Sequence, residues 1–196
     1  MKIAISGTHG CGKSTLIEEF LRSHPSFAHE PEPYTVLEED YGEVFAAEPS
    51  LDDFYRQLEF NAGRLRSYTS GQQVIYERCP ADFLSYMVAL DDLRRERQAS
   101  RVIESALEIS REVIQLLDLI VFLPLQDYAG IITTHSEDPE LREAVDFRLA
   151  GILSNDDLQL FGSPRPEVVE ARGSTAQRLQ TLEHFLDKQQ VEKEAV

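Results

Sequence analysis

The sequence has only two cysteines, Cys11 and Cys79, in 196 residues. That excludes a disulfide-framed secreted scaffold, and neither cysteine stands in a zinc-like spacing. Each is expected to be a free cytosolic thiol, and Cys11 need not take part in chemistry. Long hydrophobic runs are also missing. No apolar stretch reaches the length a membrane span needs, and because the chain enters its first strand at once no signal peptide is expected. The expected location is the cytoplasm. Basic residues are scarce, with Lys+Arg 19 against Asp+Glu 35 and a net charge of −16. A long nucleic-acid backbone is therefore not an expected partner, because no basic stripe could hold it. No low-complexity segment or internal repeat occurs, and no second domain is expected. Residues 1–188 read as one α/β domain of ordinary composition, with a charged tail at 189–196 expected to fray. A homodimer is left open.

What the sequence does contain is concentrated at its start. Residues 2–16 read KIAISGTHGCGKSTL. The first five form a short apolar, β-branched run suited to a buried parallel strand. Gly7, Thr8, His9, Gly10, Cys11, Gly12, Lys13 and Ser14 then fit G-x-x-x-x-G-K-[ST], the Walker A phosphate loop, and a helical run follows. The spacing has a chemical reason. Glycines let the backbone wrap phosphate oxygens with its N–H groups inward, and the helix N-terminus adds free donors and a favourable dipole. Lys13 would reach the β- and γ-phosphates, the Ser14 hydroxyl would ligate Mg²⁺, and Thr15 would lie nearer the α-phosphate. The expected cofactors are ATP and Mg²⁺. GTP stays open, although no Asn-Lys-x-Asp guanine motif occurs.

Four further strands are expected near residues 26–30, 73–77, 119–123 and 167–171, with helices between them. The second runs into Glu30-Pro31-Glu32-Pro33-Tyr34, a stiff acidic loop at the end of a parallel strand, where ligands bind. Glu30 or Glu32 could take a proton from a substrate hydroxyl there, against the plain reading of a solvated acidic loop. Ser50 or Asp52 would cap the next helix. On that helix Gln57, Asn61 and Arg64 share a face that either binds a substrate or meets solvent. The third strand ends in Glu77-Arg78. Glu77 would hold Mg²⁺ directly or through water, and Arg78 would clamp the reacting phosphate or the acceptor. A structural ion pair is the alternative. Arg94, Arg95 and Arg97 read as a solvated surface turn. Residues 125–157 read as a lid, with Ser136 a cap, Pro139 the first helical residue, and Arg142 and Arg148 candidates to reach the phosphates or to form surface ion pairs. The turn at 172–175 is expected near the nucleotide base.

Together these residues resemble the small-molecule kinases among the P-loop proteins. Closest in pattern are the deoxynucleoside and thymidylate kinases, and the small AAA-labelled ATPases that include the ribosylnicotinamide kinase domain. Glu77-Arg78 is similar to the Glu-Arg-Ser signature of deoxynucleoside kinases. In that family the glutamate helps coordinate Mg²⁺ and the arginine contacts substrate and phosphates. Glu30-Pro31, or Glu32-Pro33, is similar to the Glu-Pro element whose glutamate acts as base toward the sugar 5′-hydroxyl. The chain departs from the pattern in having Tyr34 and no tryptophan beside that element, and no dense lid arginine cluster. The resemblance implies a three-layer P-loop NTPase fold with a parallel sheet of order 2-3-1-4-5. It also implies phosphoryl transfer from ATP to a small polar acceptor, a nucleoside or nucleoside-like molecule. An ATPase with regulatory coupling and no acceptor is the alternative.

Overall fold

The computed structural model describes residues 1–45, 48–69, 71–93, 99–125 and 138–194. Its elements in chain order are β1 (Lys2–Ser6), α1 (Lys13–Ser23), β2 (Ala28–Glu30), α2 (Pro33–Glu39), α3 (Leu51–Ser67), β3 (Val74–Glu77), α4 (Pro80–Asp92), α5 (Ala99–Val113), β4 (Leu119–Phe122), α6 (Pro139–Asn155), β5 (Glu167–Glu170) and α7 (Thr175–Glu194). The strands form one parallel sheet in the order β2-β3-β1-β4-β5, as the resemblance implies.

Helices cover both faces. On one, α1 and α7 bring Leu16, Ile17, Phe20, Leu182, Phe185 and Leu186 against Ile3, Ile5, Ile75 and Val121. On the other, α3 to α6 pack Leu58, Leu65, Leu84, Ala106 and Leu149 against Ala4, Tyr76, Ile120 and Phe122. Successive residues of β1, β3 and β4 feed opposite cores, so these strands are fully buried and apolar along their centres, with polar residues at the two ends of β1 (Lys2 and Ser6) and at the end of β3 (Glu77). The edge strands differ. β2 is mostly exposed and shorter than expected, and β5 is open along its two glutamates. A strand that flanks the sheet needs less apolar surface.

Several boundaries move for local reasons. Pro33 starts α2, because a missing N–H costs nothing at the first helical position. Of the two candidate caps for α3, Ser50 serves, its Oγ accepting from Asp53 N at 3.2 Å. The carbonyls at the other end of α3 are met from β1, where the Lys2 ammonium donates to Leu65 O (2.9 Å) and Tyr68 O (2.6 Å). Asp138 caps α6, its Oδ1 accepting from Glu140 N and Leu141 N, with Pro139 first in the helix as expected. Ser136, Arg94, Arg95, Arg97 and most of the expected lid loop lie outside the described residues. Helix α7 runs on to Glu194, past the tail boundary expected at 188. Among the described residues, no helix is long and apolar enough to cross a membrane.

Candidate nucleotide and acceptor site

The parallel sheet sends the ends of β1 and β3 to the same side, and the register pairs Ile5 with Glu77. The loop after β1 and the Glu77-Arg78 step are therefore neighbours. Three positive-φ glycines shape the loop: Gly7, Gly10 and Gly12. A Cβ on Gly7 would lie 2.6 Å from Leu123 O and 2.7 Å from Cys11 Sγ, so no other residue fits there. Gly12, at φ 93°, is the N-cap of α1, and no acidic side chain occupies that helix's first turn. The N-terminus of α1 thus keeps its donors and dipole for an anion.

The rest of the protein holds this loop from three helices. Asp82, in the first turn of α4 and fully buried, accepts from Gly7 N (2.9 Å), Ser6 Oγ (2.7 Å) and Cys79 N (2.8 Å). Also from α4, the Tyr86 hydroxyl accepts from His9 N at 3.3 Å. Arg142 of α6 donates through Nε to His9 O at 3.1 Å. Arg178 of α7 donates to Cys11 O at 2.6 Å. Inside the loop, the buried Lys13 ammonium folds back onto Thr8 O at 2.9 Å, and the buried Thr8 Oγ1 has no partner. Ser14 and Thr15 open to solvent beside it. The Ser14 hydroxyl donates to the Glu77 carboxylate at 2.8 Å. Cys11 and Cys79 are buried free thiols, both pushed up in pKa by burial, which keeps them unreactive.

Arg78 joins the loop to the segment after β2. Its backbone sits at φ 75°, a conformation rare for a residue with a side chain. From there the buried guanidinium donates to Glu32 Oε1 (2.5 Å) and Gly7 O (3.2 Å) and lies 3.6 Å from Asp82 Oδ1. The ring of Tyr86, stacked on Phe54, lies below it at 5.3 Å. The two candidate glutamates part company here. Glu30 is committed to α3, accepting from the Tyr68 hydroxyl (2.5 Å) and paired with Arg64 Nη1 (3.0 Å). Glu32 faces the phosphate loop through Arg78. Gln57, Asn61 and Arg64 turn inward, which removes the solvent reading of that face. Gln57 and Asn61 are buried, Asn61 Nδ2 reaches Arg78 O at 3.4 Å, and Arg64 binds Glu30 and Pro31 O. Asn61 Oδ1 is buried with no partner. Arg148 is held apart. It pairs with Asp92 at the far end of α4 (2.5 Å) and sits six residues beyond Arg142, roughly 9 Å further along the helix.

Burial alone would raise the Glu32 pKa, but the Arg78 guanidinium, with Lys13 behind it, overrides this and holds the carboxyl at about 2. A carboxyl depressed in the folded state supplies stability that is fully present above its unfolded pKa, about 4.3, and lost as pH falls toward the folded value. The expected result is a urea midpoint for Glu32→Gln that lies below wild type at pH 7 and converges on it between pH 4.5 and pH 2. A gap that stays constant over that window would show that Glu32 is not held ionised by Arg78.

Over residues 2–178 the sequence matches the family described as AAA domain. The chain belongs to the AAA domain family. Solved structures show the same fold at low identity. Thymidylate kinase from Candida albicans superposes with a TM-score of 0.68 at 15% identity, covering 96% of this chain and 92% of that one. Deoxyadenosine kinase from M. mycoides with bound dATP gives 0.68 at 18%, covering 95% and 100%. The NadR protein in complex with NR gives 0.64 at 16%, covering 94% of this chain and 51% of that one. No curated protein matches the sequence. The fold of this AAA domain protein is therefore that of the P-loop kinases.

Three residues of the AAA domain site escaped sequence reading. Asp82 reads locally only as a helix-start residue, through its contact with Cys79 N three residues back, while its two contacts to the loop, Ser6 Oγ and Gly7 N, are made by folding. Tyr86 and Arg178 carry no local signal. Each is one polar residue on a helix, and each reaches the loop only once α4 and α7 are packed.

Proposed function

We propose that this protein transfers the γ-phosphoryl group of ATP, with Mg²⁺, to a hydroxyl of a small polar acceptor, a nucleoside or nucleoside-like molecule. The observation that carries this reading is Arg78. One guanidinium touches both the phosphate loop, at Gly7 O, and the acceptor-side carboxylate, at Glu32. A hydrolase that activates only water has no need of such a bridge to a second polar segment. The pocket would be bounded by Glu32, Tyr34, Gln57, Asn61 and Tyr86. Glu32 would orient the acceptor hydroxyl and receive its proton. Arg78 and Lys13 would stabilise charge on the equatorial oxygens in transfer. Glu30 would hold β2 to α3 and position the Glu32 segment. Arg142 stands next to the loop at His9 and would turn to the phosphates on closure. Arg148 would follow only after breaking from Asp92.

The residues present suit Mg²⁺. Ser14 Oγ and Glu77 Oε1 are hard oxygen donors 2.8 Å apart at the mouth of the loop. Among the described residues no cluster of three His, Cys, Asp or Glu could hold a metal by itself, so phosphate oxygens and water would complete the shell. When bound, the ion would neutralise charge on the β- and γ-phosphates. Glu77→Gln is expected to raise the Mg²⁺ concentration for half-maximal activity by about tenfold or more. An unchanged metal dependence would remove Glu77 from this role. Two free thiols suit a reducing cytoplasm.

The direct experiment is an ATP-consumption screen against nucleosides, deoxynucleosides, nucleoside monophosphates, ribosylnicotinamide and simple sugars, with products identified by mass. A product heavier by one phosphate supports the kinase and names its acceptor. Slow hydrolysis that no acceptor accelerates supports an ATPase that uses the same loop for regulation.

A further inference from the structure

Arg178 is a buried cation. The residue is only 7% exposed. Among the described residues no carboxylate oxygen pairs with it, in contrast to Arg64, Arg78 and Arg148. Its one protein contact of note is Nη1 to Cys11 O at 2.6 Å, and its buried Nε has no partner. A Cβ on Gly12 would lie 3.1 Å from the same Nη1. The guanidinium thus rests directly on the Cys11–Gly12 peptide, one residue before Lys13.

Burying a charge is costly unless something compensates it. A single carbonyl dipole does so only in part. Arg178 holds the Cys11 carbonyl toward α7, and across a trans peptide the following Gly12 N–H points the opposite way, away from α7. We propose that Arg178 is a positioning residue of the phosphate loop, orienting the Cys11–Gly12 peptide and serving as a buried counter-charge for the phosphates of a bound nucleoside di- or triphosphate. The inference rests on the reading of the loop as a nucleotide site. It makes α7 an element whose stability depends on nucleotide, since Arg178 lies in its first turn.

A merely structural arginine and a waiting counter-charge predict opposite results. The full-length protein, as wild type, Arg178→Met and Arg178→Lys, is melted without ligand and titrated calorimetrically with ATP, ADP and adenosine in Mg²⁺. Without ligand, Arg178→Met is expected to melt at or above wild type, because an uncompensated buried charge is gone. Its affinity for ATP and ADP should fall about tenfold to a hundredfold, a unit charge acting across several ångströms of partly screened interior. Adenosine should bind all three proteins alike. Arg178→Lys should keep most of the ATP affinity, and KM for ATP in Arg178→Met should rise in step with the dissociation constant while the acceptor KM stays. Equal ATP affinity in wild type and Arg178→Met would overturn the inference alone. So would a lysine variant as weak as the methionine variant, or an Arg178→Met protein that melts well below wild type without ligand. A wild type that binds neither ATP nor ADP at millimolar concentration would overturn the nucleotide reading itself, and the inference with it.

Discussion

Replacing Lys13 with alanine is expected to lower turnover by about a thousandfold while the fold stays intact. The two halves of that result have separate causes. The ammonium is buried, and its hydrogen-bond partner is a single carbonyl, Thr8 O, at 2.9 Å. It neutralises no carboxylate by direct pairing among the described residues, so its removal leaves no orphaned charge and the melting temperature should hold within a few degrees. With ATP bound, the same ammonium would be the mobile positive charge nearest the β- and γ-phosphates, and it would move from Thr8 O to phosphate oxygens. A loss in kcat that exceeds the rise in KM for ATP would mark an interaction made chiefly in the transition state. Steady-state kinetics and a thermal melt on the same preparation measure both. Activity within tenfold of wild type would remove Lys13 from the chemistry.

The phosphate loop was legible because its chemistry is local. Strand, glycines, lysine and helix start all fall within residues 2–16, and each is demanded by backbone geometry. The inner strands were legible for a related reason: a strand buried on both faces has to be apolar along its centre. The order of the sheet came from resemblance to known kinases, since nothing within a strand says which neighbour it pairs with. The proposed acceptor side was half legible. Two glutamates stood two residues apart, and no local rule separates them. Folding does, by bringing Tyr68 and Arg64 to Glu30 and Arg78 to Glu32. Arg142 and Arg148 looked equivalent in sequence. Their positions on α6 give one to His9 and the other to Asp92. Asp82, Tyr86 and Arg178 were invisible in this role because each contact spans between 75 and 167 residues of chain.

Arg78→Met is expected to do the most damage to stability, and the pattern of its damage tests the acceptor assignment. Its guanidinium sits between two carboxylates, Glu32 at 2.5 Å and Asp82 at 3.6 Å, and it is itself almost wholly buried. Taking away one member of a buried charge network typically costs about 3–5 kcal/mol, because the partners are left uncompensated. Glu32→Gln should cost less, since Arg78 keeps Asp82 and Gly7 O. The two residues act through one contact, so the double variant should be less destabilised than the sum of the singles. Activity should show the same coupling. Glu32→Gln should lower kcat by about a hundredfold or more through the lost hydroxyl partner, Arg78→Met by at least as much, and the double variant by little more than Arg78→Met alone. Urea unfolding and kinetics of the four proteins complete the cycle. Fully additive losses in both would mean that Glu32 and Arg78 contribute independently, and that the ion pair does not join the phosphate loop to the acceptor.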